Sequence, residues 1–248
     1  MVTAHGRSRR GTKLAEQLAH EIVVDIARSG LRAGDRLTSE VTMAQERGVS
    51  RTSLREALRI LEVHGLIRVR SGPNGGPVLI ELTSSDFARM ATLHFQVAGV
   101  TYRQLLEARV VLEPRMAQLA AIRRTPEQLR ALQANLGRHE QATTVAALVD
   151  CAHEFHALIS VVGGNSNKAL SLMTSSLHGF FDVYSHRSGD VALMRETVDV
   201  HRGIADAIAA EDAHLATELM EKHMRTSIET FAQECPSLID NPVTWSSE

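Results

Sequence analysis

The hydrophobic positions in the first third of the chain predict three helices. Apolar residues recur at every fourth position from residue 14 to residue 26, which describes one face of a helix that Gly30 ends. Thr38 or Ser39 is expected to cap a second, short helix. Ser50 is expected to cap a third helix, which continues to about His64 and has an apolar stripe of its own.

Two short runs rich in β-branched residues follow the third helix. They read LIRVR and PVLIEL, and the segment SGPNGG separates them. Because Gly and Asn tolerate the positive φ angles of tight turns, this pattern predicts a β-hairpin. Helix, helix, turn, helix and hairpin is the order of a winged helix-turn-helix, so we assign residues 10–82 to a DNA-binding domain.

The rest of the chain is predicted to be all-α. Apolar positions recur at helical spacing almost to the end, with breaks at glycine and proline. Six or seven helices are expected, at about 84–98, 101–123, 126–142, 144–163, 166–187, 190–210 and 212–234. The fold class is therefore mainly α, an N-terminal winged helix-turn-helix followed by an all-α helical bundle over residues 83–234. Residues 235–248 are expected to form a frayed tail.

The distribution of charge changes near residue 80, close to the boundary between the two predicted domains. Residues 1–80 contain 13 Lys and Arg against 8 Asp and Glu, whereas residues 81–248 contain 14 against 21. A basic first third suits a polyanion such as DNA. No window approaches the roughly 18 consecutive apolar residues of a membrane span, and two cysteines are too few for a disulfide framework. We expect a cytoplasmic protein without membrane contact.

The third predicted helix carries a polar face suited to DNA. Hydroxyl groups at its N-terminal end suit phosphate oxygens, and arginine guanidinium groups suit guanine O6 and N7. An arginine repeat alone is also typical of a solvated face, but its place in a complete winged plan favours DNA. The predicted DNA-binding residues are Ser50, Arg51, Thr52 and Arg55 on this helix and Arg70, Ser71 and Gly72 on the hairpin.

The same region resembles a known family. The string AGDRLTSEVTMAQERGVSRTSLREALRILEVHGLI is similar to the motif PGDxLPSE…LAxxxGVSRTPVREALRxLxxxGLI of the GntR family of bacterial transcription regulators. Thr38 and Ser53 stand where that motif has proline, and Val41 stands where some relatives have an arginine that touches DNA. The operator is therefore expected to differ from the operators of those relatives.

The helical part resembles the effector domain of the FadR-like branch, called FCD. YRQLLEARVVLEPRMAQLAA is similar to that branch's E-x-R-x-x-L-E…A-x-x-A-A helix, and EFHALISVVGGN is similar to its D-x-x-F-H…GN segment. This resemblance implies a homodimer on a palindromic double-stranded DNA operator. It also implies a small carboxylate or sugar-acid effector that alters operator affinity, and often a divalent metal held by one Asp and three His.

Three histidines are candidate metal ligands. His156, His201 and His223 lie on mainly apolar faces of three different predicted helices, so we expect neutral imidazoles that bind Zn or a similar ion. A single histidine on such a face is more often a core residue. In that family the metal-binding aspartate lies four residues before the first of these histidines, and this chain has Ala152 at that position. His153, water or the effector's carboxylate are the alternatives for the missing ligand.

Arg109 is the predicted anchor for an anionic effector, because the resembling helix carries an arginine there. The alternative is a salt bridge to Glu113, four residues further along the same helix.

Two other functions fit the sequence less well than a regulator does. A metal-dependent hydrolase is disfavoured because the segment from His153 to His156 has H-x-x-H spacing, whereas zinc peptidases need H-E-x-x-H. An architectural DNA-binding protein without an effector would have no use for an acidic helical domain of this size. The sequence therefore predicts a non-enzymatic, metabolite-responsive regulator.

Overall fold

The computed structural model describes residues 4–72, 75–81, 83–165, 167–179 and 191–244. The chain divides into two compact units, Met1–Thr83 and Ser84–Glu248. Each unit has its own hydrophobic core.

Over its described residues, the first unit contains three helices and a two-stranded antiparallel sheet. Its elements are α1 (Ala4–Ser29), α2 (Glu40–Glu46), α3 (Arg51–Val63), β1 (Ile67–Arg70) and β2 (Gly76–Leu79). The helix α1 begins earlier than the sequence pattern predicts, since its first turns precede the first apolar residue of the stripe. Of the two predicted caps for α2, the structure uses Ser39, whose side chain accepts a hydrogen bond from the backbone N–H of Thr42.

The apolar stripe of α3 forms the centre of this unit. Leu54, Ala57, Leu58 and Leu61 are all buried, as the spacing predicts. They pack against the buried face of α1 and against Ile67 at the start of β1. With its apolar side held in this core, α3 presents its other side to solvent.

The second unit is built from seven described helices. They are α4 (Ser84–Ala98), α5 (Tyr102–Arg123), α6 (Pro126–Gln141), α7 (Val145–Gly163), α8 (Lys168–Gly179), α9 (Val191–Ala209) and α10 (Ala213–Glu234). Every predicted boundary lies within two residues of the observed one, except the C-terminal end of the helix predicted over 166–187. That end lies outside the described residues.

The core of the second unit lies among α5, α7, α9 and α10. Met116, Phe155, Ile204 and Met220 are fully buried there, one from each helix. At Gly163 the helices α5 and α7 approach so closely that an added Cβ would lie 2.5 Å from the carbonyl oxygen of Met116. Glycine permits this close packing, which brings the polar residues of the two helices together.

The prediction of a frayed tail after residue 234 is wrong for residues 235–244. Ile239 and Val243 are only 2% and 1% exposed and pack in a cluster with Tyr102. The backbone N–H of Val243 donates to the carbonyl oxygen of Val100, and Arg103 pairs with Asp240. Few and irregularly spaced apolar residues hold this segment, so no periodic pattern marks it. Residues 245–248 lie outside the described residues.

One described helix, α7, has the length and composition of a membrane span, with a mean hydropathy of 1.5 over its most apolar window. A core helix of a soluble protein passes the same test, and α7 supplies Phe155 and Ile159 to the core. The helix is weak evidence for a membrane.

Candidate functional site

Three helices bring the predicted metal ligands together. His156 of α7, His201 of α9 and His223 of α10 turn their Nε2 atoms toward one another. The Nε2 atoms of His201 and His223 are 3.1 Å apart, and those of His223 and His156 are 3.2 Å apart. Two nitrogens that each lie about 2.05 Å from a tetrahedral zinc ion are about 3.3 Å apart. We call these three residues the histidine triad, and their separations fit one shared divalent ion.

Glu113 on α5 lies behind the triad. Its Oε2 atom contacts Nδ1 of His156, and its Oε1 atom is 3.1 Å from Nε2 of His178. A proton on Nδ1 of His156 then faces the carboxylate, which leaves the Nε2 lone pair directed at the triad. The Nε–H of Arg109 donates to Oε1 of the same carboxylate at 2.5 Å. Glu113 therefore connects a metal-ligand candidate with the predicted anion anchor.

Burial keeps the imidazoles of this region neutral. Burial first, and then repulsion from neighbouring imidazoles, lowers the pKa of His201 well below its usual range and that of His223 to about 3. Burial likewise lowers the pKa of His178 to about 4. For Glu113 burial favours the neutral acid, but Arg109 and the nearby imidazoles outweigh it and hold the pKa well below its usual range. Neutral imidazole is the form that binds a metal.

These pKa directions predict a loss of stability in mild acid. Four buried histidines and the partly buried His223 have lowered pKa values; the buried ones are His139, His156, His178 and His201. Between pH 6.5 and about 4 the unfolded chain binds protons that the folded chain does not, so the free energy of unfolding falls as the pH falls. Each such imidazole contributes a slope of up to about 1.4 kcal/mol per pH unit.

Urea unfolding of metal-free protein from pH 7.5 to 5 measures this slope. We expect a loss of several kcal/mol over that range, and a steeper loss with bound zinc because protons then also compete with the ion. A free energy of unfolding that is constant from pH 7.5 to 5 would contradict the burial of neutral imidazoles.

A cavity of about 280 Å³ opens beside the triad. The three histidines, Arg109, Ala152 and His153 line it together with apolar and hydroxyl side chains from α5, α7, α9 and α10. Ala152 lies one turn before His156 on α7, and among the described residues no carboxylate shares the triad's cluster of ligand atoms. The side of the triad near Ala152 therefore faces open space.

Arg109 satisfies both of the interpretations that its sequence position allows. It lines the cavity, as an anion anchor would, and it is ion-paired with Glu113. The pair differs from an ordinary surface salt bridge, because the side chains are only 9% and 2% exposed. In a buried pair, each charge depends strongly on its partner.

The sequence did not identify the residues that surround the histidine triad. Two histidines that no sequence motif marks lie beside the triad: His178 contacts Glu113, and His139 is buried with its ring centre 5.4 Å from that of His201. The i, i+4 spacing of Arg109 and Glu113 was the one available signal, and it does not reveal burial.

The predicted DNA-binding residues gather at the N-terminal end of α3 and on the hairpin. Arg51, Thr52 and Arg55 are exposed, and the Nε–H of Arg55 donates to Oε2 of Glu40 on α2 at 2.9 Å. The Ser50 hydroxyl caps α3 by accepting from the backbone N–H of Ser53. The three predicted hairpin residues, Arg70, Ser71 and Gly72, are exposed as well.

Comparisons with known proteins match both units. The model described as "Bacterial regulatory proteins, gntR family" matches residues 14–73, and the model described as "FCD domain" matches residues 104–226. The chain is 31% identical over 216 residues to the uncharacterized HTH-type transcriptional regulator YcbG of Bacillus subtilis (strain 168), covering 86% of this chain and 87% of that protein. It is 27% identical over 220 residues to the Exu regulon transcriptional regulator of Escherichia coli (strain K12), covering 87% and 83%.

A solved structure shows the same fold. Streptococcus agalactiae GntR matches with a TM-score of 0.64 at 24% identity, covering 87% of this chain and 99% of that one. The winged unit, the helical unit and these relatives define a transcription regulator and not an enzyme. The chain belongs to the GntR family of bacterial regulatory proteins, and its helical unit contains an FCD domain. The predicted family and the mainly α fold class are confirmed.

Proposed function

We propose that this regulator is a cytoplasmic homodimer that binds a palindromic operator and changes its operator affinity when a small carboxylate or sugar acid enters the helical unit. The observation that carries the proposal is the convergence of three neutral imidazoles at a cavity within an FCD domain. An apolar interior disfavours an unpaired anion, so a carboxylate needs compensating positive charge there.

We propose that the triad holds one divalent ion, with zinc as the best fit. Nitrogen ligands and nitrogen separations near the tetrahedral value suit zinc. When bound, the ion supplies positive charge and an open coordination position for the effector's carboxylate. The triad holds the ion, while Glu113 fixes the orientation of His156. The missing carboxylate at Ala152 leaves room for the ligand on this side.

Arg109 is proposed as a second contact for the effector's carboxylate. Its guanidinium lines the cavity, and the bond to Glu113 restrains its position. A guanidinium held in place loses little conformational entropy on binding an anion. Effector binding acts on DNA only if the ligand prefers one arrangement of the DNA-binding units over another. A tenfold change in operator affinity needs about 1.4 kcal/mol of such preference.

Binding-site selection and ligand screening together test this function. Random duplexes retained by the full-length protein are sequenced, and a palindromic consensus is expected because two-fold symmetric dimers read two half-sites. The protein is then heated with organic and sugar acids, with and without zinc. We expect acids that raise the melting temperature with zinc to change the affinity for the selected duplex. Retention of duplexes without a common sequence, or operator binding that no acid alters, would contradict the proposal.

Arg55→Ala is expected to weaken binding to the selected operator by about 1–3 kcal/mol and to affect random DNA less, because a base contact carries specificity. Titration of labelled duplexes at fixed salt measures both affinities. Glu40→Gln is the matched control, since it weakens the same Arg55–Glu40 contact but keeps the guanidinium. Equal losses on operator and random DNA would assign Arg55 to a phosphate, and normal operator binding would remove it from the interface.

A further inference from the structure

Five polar side chains that line the cavity have no hydrogen-bond or ion-pair partner among the described residues. The side chains of Thr197, Thr226 and Thr230 line it, and within the described part of the chain none of their hydroxyl groups has a hydrogen-bond partner. Glu196 and Glu234 also line the cavity, are exposed, and form no ion pair with any described residue. These two carboxylates therefore lie at the solvent-facing side of the cavity.

The helix geometry orders these groups by their distance from the triad. The helices α9 and α10 are joined by three residues and pack side by side, so they run antiparallel. Residues before His201 and residues after His223 then lie on the same side of the triad. At 1.5 Å per residue, Glu196 lies about 7.5 Å and Glu234 about 16 Å along the helix axes from their triad histidines. Thr226 and Thr230 occupy the first two turns between His223 and Glu234.

Because of this order, the two ends of the cavity favour different chemical groups on a ligand. The triad end suits a carboxylate, as the proposed function requires. The threonine hydroxyls donate to and accept from ligand hydroxyls. The carboxylates of Glu196 and Glu234 accept hydrogen bonds from hydroxyl groups but repel a second carboxylate. A six-carbon acid with C–C bonds of about 1.5 Å extends about 6–7 Å, far enough to place its far end level with Glu196.

We propose that Glu196 makes this cavity selective for a hydroxylated monocarboxylate and excludes the corresponding dicarboxylate, whose second carboxylate would lie level with it. The inference rests on the proposed function, since it takes the triad as the site of the ligand's first carboxylate. The small size of the cavity agrees with a ligand of this kind. Selectivity thus comes from the repulsive charge of Glu196 and from hydroxyl pairing along the wall.

Matched acids test the inference in calorimetric titrations of zinc-loaded, full-length protein. The probes are D-gluconate with D-glucarate, D-galactonate with galactarate, and hexanoate, which has the same carbon number without hydroxyls. In at least one sugar configuration, we expect the hydroxylated monocarboxylate to bind at least tenfold tighter than its dicarboxylate and than hexanoate. In Glu196→Gln, which keeps the side-chain shape, the gap between mono- and dicarboxylate should shrink to less than threefold. Glu234→Gln should keep most of the gap, because Glu234 lies about 9 Å further along the helix axes than Glu196.

Two further variants separate charge from general perturbation. Glu221→Gln removes a carboxylate on α10 that is paired with Arg225 and lies outside the cavity lining, so it should keep the wild-type gap. Thr197→Val/Thr230→Val should bring the binding of the hydroxylated acid close to that of hexanoate, because the valines keep the volume but lose the hydroxyls.

The outcomes distinguish this inference from the proposed function. A dicarboxylate that binds wild type as tightly as its monocarboxylate partner, or a gap unchanged by Glu196→Gln, overturns the selectivity while the carboxylate site stands. Zinc-loaded protein that binds none of the five acids overturns the selectivity and the proposed effector class together.

Discussion

Replacing His201 with alanine is expected to weaken zinc binding by more than about a hundredfold, since the change removes one of three protein ligands, and altering even a supporting residue costs 10–100-fold. His201 is fully buried, and its Nε2 atom lies 3.1 Å from that of His223. Wild-type protein purified without a nickel column should contain about one equivalent of zinc by elemental analysis. His201→Ala prepared in parallel should contain almost none, and competition with a chelator gives the ratio of affinities.

His139→Ala is the matched control for this experiment. His139 is 1% exposed, and its ring lies beside that of His201, but it is outside the triad. Truncating it creates a similar defect in the same core and should leave the zinc content unchanged. Equal zinc loss in both variants would trace the effect to general disruption of the core. Metal-free wild type that still responds to its effector would remove the ion from the mechanism.

Replacing Glu113 with glutamine is expected to lower the free energy of unfolding at pH 7 by about 3 kcal/mol or more, because removing one partner of a buried pair leaves the other charge uncompensated. Glu113 is 1% exposed, and its carboxylate is bonded to Arg109 and in contact with two imidazoles. Because the folded-state pKa of Glu113 is lowered, its contribution is present above about pH 4.3 and is lost in stronger acid. Urea unfolding of metal-free protein measures the change.

Glu221→Gln provides the comparison for Glu113→Gln. Glu221 and Arg225 form an i, i+4 pair on α10 with side chains 46% and 64% exposed. The spacing matches that of Arg109 and Glu113, but water screens the exposed pair, so its loss should change stability by less than about 0.5 kcal/mol. If the two variants lose equal stability, burial does not amplify the Glu113 contact. Glu113→Gln should also weaken zinc binding about tenfold, through the orientation of His156.

Local chemistry explains why the helix positions were predictable. Thr101 and Thr125 each form a capping box with a glutamine three residues later, and those hydrogen bonds need no distant contact. The stripe of α3 similarly repeats within one helix. The candidate DNA-binding residues at the N-terminal end of α3 were recognisable for the same reason, because they also lie within a few positions of one another. It did not show the pairing of Arg55 with Glu40, because that contact joins two helices.

The sequence by itself determined the two-unit organisation, most helix boundaries of the second unit and the three candidate ligands, since caps, periodicity and residue type act over a few positions. Only the tertiary structure decided that the triad's Nε2 atoms converge, because these residues are separated by 45 and 22 positions and meet through the packing of α7, α9 and α10. Packing also buried the Arg109–Glu113 pair, added His178 to it and ordered residues 235–244. Burial changes the strength of a charge interaction several-fold, and burial is a property of the assembled helices.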